Sequence, residues 1–207
     1  MKVIFLDNDG VICLDNNWGG RSKKWKKYLK TNPENHLLSM APVEYRFDDF
    51  DQKAIKILNE ILEETGAEIV VSSDWRLHAT IEELGDYYEA QGIIRRPIDG
   101  TRTYVDIRKD MPEGVEIASQ FYNGPFPYSR AEEYEQARHL EILQYLKEHP
   151  EITHWVAIDD LDMGTLDESW GQTRERKWGL SNFVKTPRAS EGIKQLGKKE
   201  SVLSFLS

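Results

Sequence analysis

Lys2-Val3-Ile4-Phe5-Leu6-Asp7-Asn8-Asp9-Gly10-Val11 is the stretch from which the rest of the chain is read. Val, Ile and Phe favour a pleated, buried strand, and so short an apolar run ending near Gly fits a central parallel strand. The strand would carry two carboxylates, spaced by one residue, at its C-terminal end. In open α/β sheets that edge is where ligands bind. Two carboxylates so close repel unless a cation sits between them, so Asp7 and Asp9 point to a magnesium site. Asn, Asp and Gly are also ordinary turn formers, and a polar turn without chemistry stays open at this point.

The chain has 207 residues, enough for one well-buried domain of the usual ~100–200 residues with some room for a cap. Hydrophobic residues at 39% and charged residues at 30% describe a soluble globular protein. No apolar run approaches the roughly 18–20 residues that cross a bilayer. The start Met1 to Asp9 lacks the cationic stretch and cleavage site of a signal peptide. The lone cysteine, Cys13, excludes an internal disulfide and a cysteine zinc cluster, reads as a small core residue, and fits a reducing, cytoplasmic setting. A net charge of −9 argues against wrapping long nucleic acid through bulk charge. One local basic patch stands out: Arg21, Lys23, Lys24, Lys26, Lys27 and Lys30, interleaved with Trp25 and Tyr28.

Asp51 is placed to cap a helix running to about Thr65, with Ala54, Ile57, Leu58, Ile61 and Leu62 on one face and Gly66 as its stop. A strand from Ala67 to Val71 follows and ends in Ser72-Ser73-Asp74-Trp75-Arg76. A second helix is expected from about His78 to Gln91. The stretch 93–129, rich in Pro, Gly and aromatics, gives no regular pattern. Helical spacing returns from Arg130 to His149, with Leu140, Leu143 and Leu146 inward. Thr153 to Ile158 reads as a buried strand ending in Asp159-Asp160, Ser181 to Lys185 as a last strand, and Ser190 to Leu196 as a short helix. Strands alternating with helices indicate an α/β fold with a mostly parallel sheet. Three strand ends, at Asp7/Asp9, Ser72 and Asp159-Asp160, would then meet on one edge.

These residues resemble the haloacid dehalogenase (HAD) superfamily, which contains many phosphatases. The Asp-x-Asp-Gly strand matches Val3 to Val11, the strand ending in Ser matches Ile69 to Ser72, the basic residue near a helix start falls on Arg138, and the strand ending in an acidic pair matches Trp155 to Asp160. More narrowly, Ser72-Ser73-Asp74-Trp75-Arg76, Arg138-His139-Leu140-Glu141-Ile142 and the late Phe183 to Thr186 with Gly192 look like the phosphatase-like domain of Swiss army knife RNA repair proteins. The resemblance implies a HAD-like Rossmannoid three-layer sandwich over residues 1–207. It also implies a flap or cap segment at 13–50 and an insert at 93–130.

It further implies a magnesium-dependent phosphomonoesterase that works through an aspartyl-phosphate. Asp7 would be the nucleophile and Asp9 the acid and base. Ser72 would hold the phosphoryl oxygens, and Arg138 would offset the charge between Asp7 and phosphate. The metal would take the Asp7 carboxylate, the Asp9 backbone carbonyl and the pair Asp159 and Asp160, with Asp160 the direct ligand and Asp159 its neighbour. Ser73, Arg76, Lys24 and Trp25 are expected near substrate, a small phosphorylated compound or a nucleic-acid end. Each role has a plainer rival. Ser72 could cap the next helix, Arg76 could pair with a core carboxylate, Arg130 competes with Arg138, and the 21–30 segment could be an ordinary amphipathic helix. A non-catalytic phosphate-binding module of the same fold is the alternative class. The retention of both Asp7 and Asp9 favours an enzyme, and no Gly-x-x-x-x-Gly-Lys loop supports a P-loop kinase.

Overall fold

The computed structural model describes residues 1–15, 20–35, 37–110, 130–167, 174–175, 178–187 and 190–207, with the side chains at 130–133, 167 and 174 outside that description. In chain order the strands are β1 (Lys2–Leu6), β2 (Glu68–Val71), β3 (Pro97–Gly100), β4 (His154–Asp159), β5 (Leu166–Asp167), β6 (Arg174–Glu175) and β7 (Phe183–Lys185). The helices are α1 (Gly20–Thr31), α2 (Val43–Arg46), α3 (Gln52–Thr65), α4 (Ile81–Gln91), α5 (Tyr104–Lys109), α6 (Arg130–Glu148) and α7 (Lys198–Leu206).

Five strands form one all-parallel sheet in the order β3-β2-β1-β4-β7, and β5 pairs with β6 in a separate antiparallel ribbon. Alternation along β1 sends Val3 and Phe5 to one face and Ile4 and Leu6 to the other, and all four are fully buried. On the first face Phe5 packs edge-on against Tyr145 of α6 and against Trp155, with Ile142 beneath. On the second, α3, α4 and α7 contribute Leu58, Ile61, Leu84, Val202 and Leu206. Asp51 caps α3 by accepting from the backbone N–H groups of Lys53 and Ala54 at 2.9 Å each, and Gly66 at φ +66° ends it.

Several elements differ from the pattern in the sequence. The second expected helix starts three residues later, at Ile81. Thr80 caps it in a reciprocal box with Glu83, and Asp74–Leu77 form a separate 3₁₀ turn. Within 93–110 the chain forms β3 and α5, while 111–129 lie outside the described residues. The inward face of α6 centres on Arg138, Ile142 and Tyr145, with Leu143 and Leu146 partly buried and Leu140 half-buried. The short late helix shrinks to a 3₁₀ turn, Gly192–Lys194, and α7 was not foreseen. Residues 20–50 carry α1 and α2, held to α4 by Arg46 bonding Glu83 in a fork at 2.8 and 3.0 Å.

Ile69 is fully buried in β2, whereas Ile98 in the edge strand β3 is 47% exposed. Ile69→Ala should cost about 2–5 kcal/mol and Ile98→Ala within about 0.5 kcal/mol. Urea unfolding midpoints at unchanged slope measure both.

Candidate active site

The strand registers bring the chemistry together. Leu6 pairs with Val71 on one side and Ile158 on the other. The ladder then runs one residue past each strand end: Asp7 N–H bonds Ile158 O at 3.0 Å, Ser72 N–H bonds Leu6 O at 2.9 Å, and Thr186 N–H bonds Asp159 O at 2.9 Å. Asp7, Ser72, Asp159 and Thr186 thus sit side by side on one edge, and all are buried.

Carboxylate oxygens of Asp7, Asp159 and Asp160 all lie within 4.8 Å of one another. Burial pushes the Asp7 carboxyl well above the usual range, the neighbouring Asp159 adds to the rise, and Arg138 opposes it. Burial also lifts Asp159, to about 6, against the pull of Arg138. Gly10 completes the cradle. It holds φ +72°, and a Cβ there would come within 2.5 Å of Asp160 Oδ2, so only Gly lets the loop after β1 lie this close. Among the described residues, the Arg138 guanidinium meets two members of this cluster, Asp7 and Asp159. A compact set of hard oxygen donors suits Mg²⁺, with the Asp7, Asp159 and Asp160 carboxylates as its candidate holders.

Arg138 reaches this cluster from α6. Its Nη1 donates to Asp7 Oδ1 at 3.3 Å, to Asp159 Oδ2 at 3.4 Å and to the Ser72 carbonyl, and its Nη2 donates to Asp74 Oδ1 at 2.8 Å. Burial alone would lower its pKa, but Asp7, Asp159, Glu141 and Asp74 hold it firmly charged. The Arg130 side chain, the rival for this place, lies outside the described residues.

The Ser72 hydroxyl is buried and makes no hydrogen bond among the described residues, while the cap falls to Ser73, whose Oγ accepts from Trp75 N–H at 3.5 Å. A buried hydroxyl without a partner among the described residues is chemically able to donate to an added oxygen. The Asp9 carboxylate points elsewhere. Its Oδ2 accepts from Trp75 Nε1 at 2.9 Å, and its carboxylate is not part of the three-acid cluster. Partial loss of water around it lifts the Asp9 carboxyl above its usual range, with the Trp75 bond pulling the other way.

Arg76 is a core partner: it donates to Thr101 O at 2.7 Å, Ser73 O at 2.5 Å and Glu141 Oε2 at 2.5 Å. Glu141, buried and accepting also from Tyr104 N–H at 2.7 Å, lies 3.7 Å from Arg138 Nε. Sequence reading left Glu141 without a role. The Arg-x-x-Glu spacing, which puts both on one helix face, was the available signal. Lys24 likewise turns inward, to Asp49 Oδ1 at 2.7 Å, Glu44 O at 3.0 Å and the Tyr87 hydroxyl at 3.3 Å. Trp25 stacks on Tyr28, and Tyr28 lies tilted against Tyr45. The exposed cations of α1 are Arg21, Lys23, Lys26, Lys27 and Lys30. Cys13 is buried with its thiol pKa pushed up, as expected of a core residue.

An all-parallel sheet with acids at the ends of β1 and β4, a hydroxyl at the end of β2 and a cation from the intervening helix defines a HAD-type domain. The chain belongs to the family described as the HAD domain in Swiss Army Knife RNA repair proteins, whose model matches residues 3–193. That membership supports an enzyme of the hydrolase or phosphatase type, in a superfamily that generally uses Mg²⁺. Neither the curated proteins nor the solved structures compared with the chain gave a match. Among the described residues, no helix is long and apolar enough to cross a membrane.

A raised folded-state pKa means that the native protein holds a proton the unfolded chain releases, so stability falls as pH climbs from the unfolded value toward the folded one. For Asp159 that window runs from about 4 to about 6. Asp159→Asn, which keeps an acceptor for Leu161 N–H, should gain stability relative to the wild type across this window without Mg²⁺. Paired thermal melts at pH 4, 5, 6 and 7 check the trend.

Proposed function

We propose that this protein is a magnesium-dependent phosphomonoesterase acting through an aspartyl-phosphate on Asp7, with nucleotide or nucleic-acid-end phosphates as its substrate class. The observation that carries the reading is the buried Asp7 carboxylate set against Asp159 and Asp160, with Arg138 at 3.3 Å and an unbonded Ser72 hydroxyl beside it. In the same reading residues 1–207 form one domain, with 13–50 as a flap beside the site and 93–130 as an insert. The setting would be the cytoplasm.

Phosphate monoesters are so inert that up to roughly 10²¹-fold acceleration is needed, and two steps through a covalent intermediate are easier than one. An Asp7 oxygen attacks phosphorus, and the bond from phosphorus to the leaving oxygen breaks. Asp9 gives that oxygen a proton, then takes one from the water that attacks the same phosphorus and frees Asp7. Ser72 donates its hydroxyl proton to a phosphoryl oxygen. Arg138 holds Asp7 by one amino group and offsets its charge as an anionic ester approaches. Mg²⁺, held by Asp7, the Asp9 carbonyl and the acidic pair, would supply the positive charge that lets two anions meet.

Ser73 is buried beside this set, where its hydroxyl favours the ionised Asp7 carboxyl. Arg76 acts here by fixing Glu141 and the turn after β2 rather than by touching substrate. Substrate attraction falls to the outward stripe of α1. Lys23, Lys26, Lys27 and Lys30 are exposed, share one side of the helix, and pair with no acid among the described residues. Lys24 and Trp25 fasten that helix from its inner side.

The test is hydrolysis of p-nitrophenyl phosphate, a 3′-phosphorylated oligonucleotide and mononucleotides with Mg²⁺. Asp7→Asn should abolish turnover of all of them, and Asp9→Asn should lower it about 10²–10⁴-fold. Mg²⁺ binding with no hydrolysis of any would favour the binding-module reading instead.

Reversing all four outward lysines to Glu should raise KM for the oligonucleotide and leave p-nitrophenyl phosphate unchanged. Each lost phosphate contact should flatten the log–log salt dependence by about 0.7. An oligonucleotide KM that does not respond to the reversal would point to a small-molecule substrate.

A further inference from the structure

Trp75 lies on the turn after β2 and is 5% exposed. Its ring is clamped in a stack: Phe47 lies at 4.2 Å and 8°, Phe50 at 5.3 Å and 19°. Three core rings, counting Tyr87 at 6.0 Å, leave the indole little freedom to turn. From this fixed plane Nε1 donates to Asp9 Oδ2 at 2.9 Å. Hydrophobic packing explains the stack but not why its polar atom is aimed at one carboxylate oxygen. A buried indole N–H needs an acceptor, yet this acceptor belongs to the residue that the proposed reaction uses twice.

We infer that Trp75 is the positioning residue for Asp9, fixing its carboxylate and directing its transferable proton to Oδ1, the oxygen that meets the leaving group. The inference rests on the proposed phosphatase reading and deepens it. An indole N–H can only donate, so the oxygen it binds must accept and cannot itself carry the proton toward it. The Trp75 bond is stronger to a carbonyl-like oxygen than to a hydroxyl, so it favours a proton on Oδ1 over Oδ2. In the first step that proton moves from Oδ1 to the leaving oxygen as its bond to phosphorus breaks. In the second, the same oxygen takes a proton from the attacking water. The Oδ2 bond to Trp75 persists through both, so Asp9 changes protonation without having to turn. Among the described residues, the nearby Cys13 thiol and the charges of Asp7, Asp48 and Arg21 also bear on Asp9. Among these neighbours Trp75 alone is a rigid, donor-only aromatic locked by stacking.

Trp75→Phe keeps an aromatic ring in the stack and removes the donor together with part of the indole's bulk, a packing loss that would weigh on both esters alike. The informative quantity is kcat/KM, which covers steps up to release of the leaving group. p-Nitrophenolate departs with little protonation, whereas the alkoxide of β-glycerophosphate needs the proton of Asp9. Trp75→Phe should therefore lower kcat/KM for β-glycerophosphate by about tenfold or more, within the range set by misplaced acid catalysis. The value for p-nitrophenyl phosphate should change far less. In an Asp9→Ala background Trp75→Phe should add no further selective loss. Equal losses on both esters, or a selective loss that persists without Asp9, would overturn the role and leave Trp75 as packing.

A second readout needs no turnover and leaves the ring in place. The indole ¹H–¹⁵N resonance that disappears in Trp75→Phe should move upfield in Asp9→Ala, recorded on Mg²⁺-free protein. An unmoved resonance overturns the inference even if the phosphatase reading stands. A wild type that hydrolyses neither ester overturns both that reading and the role of Trp75, whatever the resonance does.

Discussion

Arg138 is the interaction on which the site depends. Asp7 and Asp159 are 6% and 1% exposed, and carboxylates so far from water are costly to keep ionised without a partner. One amino group of Arg138 meets both, and its other nitrogens engage Asp74 and approach Glu141. Breaking a buried pair of this kind commonly costs about 3–5 kcal/mol, because the surviving charge is stranded. The guanidinium is itself buried and cannot shed its charge, so the acids hold it as firmly as it holds them. Glu141, gripped by Arg76 and the Tyr104 N–H, fixes the far side of this arrangement. The network also crosses the layers of the fold, since α6, the loops after β1 and β2 and the end of β4 all meet at one planar group.

Such a network forms only if the strand ends are level. Parallel pairing of β1 with both β2 and β4 sets Leu6 beside Val71 and Ile158, so the next residue of each strand arrives at the same height. A shift of one residue in either register would send Ser72 or Asp159 to the opposite face of the sheet. The apolar runs that drive the strands together thus also position the chemistry, although none of them touches it. The loop after β1 can then fold across the edge because Gly10 leaves space for Asp160, and the Thr186 hydroxyl ties down the Gly10 carbonyl at 2.9 Å.

What the sequence made legible follows from that architecture. Asp7, Ser72 and Asp159-Asp160 could be read because each ends an apolar run, and an apolar run ending in a polar residue is a one-dimensional signal. Arg138 could be placed through its resemblance to a known motif, not through hydropathy, which puts a basic residue on the solvent side. The Leu140 stripe misled for the same reason: hydropathy favours leucine over arginine as a core residue, yet here Arg138 is the deeper of the two. β3 was missed because Pro97-Ile98-Asp99-Gly100 is short and reads as a turn, and only pairing with β2 makes it a strand. α7 is likewise defined by burial of Val202 and Leu206 against the second core face. Arg76 had two readings from sequence alone, and Glu141 on a helix 65 residues away decides between them.

The two acids of the Asp-x-Asp motif show how much chemistry lies in placement. They share a loop, two residues apart, and both carboxyls are raised above the usual range by loss of water. Their surroundings then diverge. Asp7 turns into the sheet edge among Asp159, Asp160 and Arg138, where the guanidinium favours its ionised form. Asp9 turns toward the opposite wall, onto a neutral indole donor, where no cation among the described residues is in bonding contact. Environments that separate two like groups are how one loop supports a nucleophile and an acid together. The separation is made by ring packing on one side and an ion network on the other, and these belong to opposite faces of the sheet. The division of labour proposed for Asp7 and Asp9 thus depends on both halves of the core, which is why a two-residue motif needs a whole domain to give it meaning.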